Sequence, residues 1–76
     1  MSGRVEKINA LQLKYEAEIA EFKIDIENYL NSSVGVAEHP HLIESLNGLV
    51  AKLADSEDKL NCLTHNFSID LYEQDS

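Results

Sequence analysis

The sequence predicts an all-α fold: an antiparallel hairpin of two helices, packed in coiled-coil fashion and associating into a four-helix bundle. A stretch from about Arg4 to Leu30 lacks Gly and Pro and repeats its apolar side chains at helical spacing. A second stretch, from about Pro40 to Phe67, carries a leucine seam, and a short break near 31–39 separates the two. At 76 residues and 8.5 kDa the chain has room for a single domain, 1–76.

The first helix rests on Ile8, Leu11, Tyr15, Ile19, Phe22, Ile26 and Tyr29, spaced 3, 4, 4, 3, 4 and 3 so that all share one stripe. Lys14 precedes Glu18 by four residues and Lys23 precedes Glu27 likewise, the weaker orientation for a helical ion pair. Asn31 is expected to close this helix in the left-handed conformation, and the Ser- and Gly-containing segment after it favours a loop. Pro40 suits the first turn of the next helix, where its missing N–H leaves no further donor unpaired. So short a connection returns the chain beside itself, making the helices antiparallel neighbours.

In the second helix Leu42, Leu46, Leu49, Leu53, Ser56, Leu60, Leu63 and Phe67 alternate spacings of four and three. That is the repeat required by knobs-into-holes packing, with Ser56 as its single polar member. Asp55 lies four residues before Lys59, the favourable orientation. Asn47-Gly48 is a turn dipeptide inside this repeat. Glycine costs about 1 kcal/mol in a helix interior, yet the leucine register is the same on both sides, so a continuous helix is expected. Gly48 would then mark the close approach of another helix. The tail, 68–76, is expected to be irregular or partly docked, with Ile69 and Leu71 as its apolar side chains.

A lone hairpin leaves apolar surface uncovered. Leu13, Ala17, Ala20 and Ile24 form a second row on the first helix, about 160° around the axis from Leu11 and Tyr15. Ile43 and Val50 flank the main stripe of the second helix. Chains this small often need a staple, and the single cysteine, Cys62, cannot supply an internal disulfide. Self-association, with a dimer favoured, is therefore expected. The interaction surface comprises Leu13, Ala17, Ala20, Ile24, Ile43, Val50, Phe67, Ile69 and Leu71.

Charge narrows the partners. Fourteen acidic against six basic side chains give a net charge of -8 and a pI near 4.6. Binding to a nucleic-acid backbone or an anionic membrane needs a basic face, so neither is expected. No apolar run is long enough to span a bilayer, and Met1 to Arg4 lead into a charged amphipathic pattern rather than a signal-peptide core. The lone cysteine fits a reducing, cytoplasmic setting. Residues 32–76 hold eight acids and two bases, which would give the second helix and tail a negative surface.

Residues that could carry chemistry are sparse. Glu38 and His41 have the Glu-x-x-His spacing of di-iron bundles, but Pro40 between them disfavours one continuous helix. Cys62 and His65 are three apart, two ligands where zinc needs four, and the bland expectation is a packed thiol beside a solvated imidazole. An i, i+3 Cys–His pair on one straight helix has neither an oxyanion hole nor a substrate cleft. Gly3, Gly35 and Gly48 are too scattered for a phosphate loop. No catalytic, cofactor-binding or metal-binding residues are assigned, and no enzyme is expected. The leading expectation is a non-enzymatic interaction or assembly protein acting through amphipathic helix packing. The alternative is an acidic inhibitor that mimics nucleic acid at a basic site.

Overall fold

The computed structural model describes residues 3–32 and 41–67, and these form two helices packed against each other as a hairpin. Helix α1 runs Arg4–Leu30 and helix α2 runs Leu42–Phe67. The first helix has the expected bounds, and the second begins at Leu42, just after a turn at His41. Pro40, the rest of the connection and the tail carrying Ile69 and Leu71 lie outside the described residues.

The ends of α1 are made by different means. Gly3 caps the start with φ of 71°, in the left-handed region that glycine enters without a Cβ penalty, and its carbonyl accepts the Lys7 N–H at 3.0 Å. Glu6 puts a carboxylate in the first turn, where the helix dipole favours it. At the other end Asn31 has φ of -91°, so the expected left-handed closure is not the one used. The side chain explains why: Asn31 Nδ2 donates to the Glu27 carbonyl at 2.8 Å, alongside the backbone N–H at 2.9 Å. With the terminal carbonyl satisfied from both groups, the backbone need not turn left-handed.

Helix α2 passes through Asn47-Gly48 without a break, as the unbroken leucine register requires. The expected close approach at Gly48 is absent among the described residues, since a Cβ built there meets no other part of the hairpin within 4 Å. Near the C-terminal end Thr64 Oγ1 donates to the Leu60 carbonyl at 3.0 Å and Asn66 Nδ2 to the Cys62 carbonyl at 2.7 Å. Both acceptors already take part in the i→i−4 ladder of α2, so the side chains add second bonds to carbonyls of the last two turns.

The antiparallel pairing is fixed at an end and near the middle. Arg4 at the start of α1 donates through Nη2 to the Phe67 carbonyl at the end of α2, 3.3 Å away. Near the middle, Ser56 Oγ donates to Glu18 Oε1 at 3.4 Å. The seam residues fill the space between. Ile8 (6% exposed) and Leu63 (8%) are buried, and Tyr15, Ile19, Phe22, Leu46, Leu49, Leu53 and Leu60 are half-buried. The most deeply covered of these positions is the serine, Ser56, at 3%. Among the described residues no large side chain is fully enclosed, so the core is thin.

Candidate interaction surfaces

Two kinds of surface stand out on the hairpin: the outer face of α1 and a groove along one side where the helices meet. The outer face follows from two interleaved periodicities. Ile8, Tyr15, Ile19, Phe22 and Ile26 turn toward α2, so Leu13, Ala17, Ala20 and Ile24 must lie nearly opposite at about 100° per residue. All four are exposed, Leu13 at 66% and Ile24 at 60%. Ala10 extends the same row and is also exposed. Lys14 and Glu21 border it on one side, Glu16 and Lys23 on the other, all exposed.

On α2, Ile43 and Val50 are half-exposed and separated by two turns. They lie on the flank of α2, away from the outer row of α1. Phe67 is 46% exposed although it sits in the seam register, because it is the last helical residue and α1 begins only at Arg4 opposite. The structure thus divides the predicted surface into a continuous row on α1, a flank on α2 and Phe67 at one end. Ile69 and Leu71 are outside the described residues.

The groove was not foreseen. Leu11 and Tyr29 have the stripe spacing, yet each is 40% exposed. Both lie about 50° off the centre of the stripe, so they edge the contact instead of filling it. Near Phe67 the groove encloses about 400 Å³ against Leu11, Tyr15, Leu63 and Phe67, with Asp55, Asp58 and Lys59 at its rim. Nearer the connection a second hollow of about 480 Å³ opens over Gly48, between Asp25, Tyr29 and Lys52. The sequence signal was available: Gly48 offers no side chain to fill the space that Tyr29 leaves.

Electrostatic pairing on these surfaces is local. Lys59 Nζ lies 3.0 Å from Asp55 Oδ2, and its pKa is raised, chiefly by that hydrogen bond and then by the charge of Asp55. Lys14 Nζ lies 3.1 Å from Glu18 Oε2, whose other oxygen accepts from Ser56. One carboxylate therefore ties a surface cation to the buried seam hydroxyl.

Cys62 is exposed, not packed as a small apolar residue, because Leu60 and Leu63 occupy the seam and turn position 62 outward. His65 is exposed as well. Among the described residues no three of His, Cys, Asp and Glu converge on a point that could hold a metal ion. No described helix is long and apolar enough to cross a membrane. Comparison with protein-family models, with curated proteins and with solved structures finds no match to this chain.

Proposed function

We propose that this chain is a non-enzymatic interaction or assembly protein whose working surface is its own helices. The observation that carries the reading is the outer row of α1. Leu13 and Ile24 stand about two-thirds exposed in a hairpin that, among the described residues, buries only Ile8, Ser56 and Leu63. Apolar surface in register along a helix, opposite a thin core, is surface that a second body covers. The polar groups that meet one another serve the hairpin itself: Arg4 holds the Phe67 carbonyl, Ser56 meets Glu18, and Asn31 ends a helix.

The chain self-associates, with two hairpins joining into a four-helix assembly as the simplest closed form. Its setting is the cytoplasm, where the exposed thiol of Cys62 stays reduced. The test is molar mass in solution, by light scattering behind a sizing column across the micromolar range. A mass near twice the 8.5 kDa chain, rising to a plateau with concentration, is the expected result. A monomer at every concentration overturns self-association. Capture of a basic protein that is lost steeply with added salt would replace this reading with the nucleic-acid-mimic alternative.

A further inference from the structure

We infer that the outer face of α1 is the docking surface for α1 of a second copy, running antiparallel and centred between Ala17 and Ala20. The inference rests on the self-association reading and gives it an orientation and a register. Ala10, Leu13, Ala17, Ala20 and Ile24 are spaced three, four, three and four, the alternation of an interhelical seam, and all are exposed. Laid antiparallel about its own midpoint, the row is self-complementary. Leu13 meets Ile24 of the second copy, Ala17 meets Ala20 of the second copy, and the two-fold axis repeats both contacts. Two small residues at the centre allow the axes to approach to the short end of the usual range of about 8–10 Å.

The bordering charges decide the direction. In the antiparallel register Lys14 faces Glu21 of the second copy and Glu16 faces Lys23 of the second copy, so symmetry gives four opposite-charge pairs. In a parallel pairing Glu16 would face Glu21 of the second copy, with the repulsion repeated by symmetry, and Glu27 would stack on its own counterpart. Like charges so placed oppose that arrangement, which is how flanking residues set helix orientation.

The geometry also determines the shape of the assembly. A closed square bundle needs its two contact faces roughly 90° apart on each helix, whereas the two apolar rows of α1 are nearly opposite. Pairing through the outer row therefore gives a flat layer, α2–α1–α1–α2, with the two copies of α1 central. Ile43 and Val50 are left outside the central contact.

Charge reversal gives a test with an internal control. Glu16→Lys makes the chain less acidic by two charges, which by itself eases repulsion between two copies. It also has no charged neighbour three or four residues away on α1. The expected result is nonetheless an approximately tenfold weaker dimer by sedimentation equilibrium, with recovery to within about threefold in Glu16→Lys/Lys23→Glu. Equal or tighter association of Glu16→Lys overturns the register.

Direction is read separately in a Cys62→Ser background. Leu13→Cys and Ile24→Cys chains, mixed and oxidised, should yield chiefly the mixed disulfide. Predominant 13–13 and 24–24 products would show a parallel pair, and failure to cross-link in a dimer would show that another face is used. If the wild-type chain dimerises but Leu13→Lys/Ile24→Lys dimerises equally well, this interface is wrong while self-association stands. If the wild-type chain is monomeric throughout, self-association itself has failed.

Discussion

Replacing Gly48 by alanine should stabilise the hairpin, and the amount follows from the structure. Gly48 lies inside α2, between Leu42 and Phe67, with φ outside the left-handed region. It is exposed, and among the described residues a Cβ at this position meets no side chain and no part of the other helix within 4 Å. The substitution therefore carries no steric penalty and removes the conformational freedom that makes glycine costly in a helix. Gly-to-Ala propensity is worth about 1 kcal/mol at an interior position. For a domain of this size that corresponds to a rise in Tm of about 4–8 °C. The assay is a pair of urea and thermal melts followed by circular dichroism at matched chain concentration, so that any linkage to association is held constant. The midpoint should rise while the urea slope is unchanged. A lower midpoint would refute the reasoning, because it would mean that the bare backbone at Gly48 is needed by something that packs there. Loss of association with increased helix content would identify that body as a second copy and place a contact over the hollow beside Tyr29.

Other substitutions probe the core and its pairing. Leu63→Ala should cost about 2–4 kcal/mol in urea melts, since Leu63 is one of the few buried apolar side chains, and so large a loss would leave a thin-cored hairpin largely unfolded. Ser56→Ala should stay within about 1 kcal/mol of the parent, because Glu18 keeps Lys14 at 3.1 Å when the 3.4 Å hydroxyl contact is removed. Ser56→Leu, which completes the leucine seam, should instead cost about 1–3 kcal/mol by overfilling a closely covered position, and stabilisation would reveal unfilled space there. Lys59 titrates above the ordinary lysine value of 10.5 through Asp55, so this pair supports folding fully below that value and ceases to do so as pH rises through the raised pKa. Asp55→Asn should return the Lys59 titration toward its ordinary value, measured by NMR of the lysine side chain.

The helices and their antiparallel arrangement were legible because long periodic segments leave few alternatives. Arg4–Leu30 has one apolar stripe wide enough to seat a partner, and the leucine register carries α2 through the turn dipeptide at Asn47-Gly48. The outer row was legible for the same reason, as a second period superposed on the first. What the sequence concealed depends on angle and end effects. Leu11 and Tyr29 satisfy the spacing of the stripe but lie at its edge, and only the packed pair shows that they line a groove. Asn31 is compatible with more than one helix ending, and the choice was settled by its side-chain amide reaching the Glu27 carbonyl. Ser56 reads as a weak point in a leucine seam, yet the structure covers it more completely than any of the described leucines and gives its hydroxyl a carboxylate across the hairpin.

The contact between Arg4 and the Phe67 carbonyl brings the beginning of one helix and the end of the other to a common pole. Whatever is joined to the chain before Gly3 or after Phe67 therefore leaves from the same pole. If two copies pair through α1 in opposite directions, their poles point away from each other across one helix length, about 40 Å for 27 residues. The assembly is then a double-ended spacer. It holds two attached bodies apart at a distance set by the number of residues in α1, and lengthening both helices by one heptad on each side of the central contact would move them about 20 Å farther apart without altering either attachment.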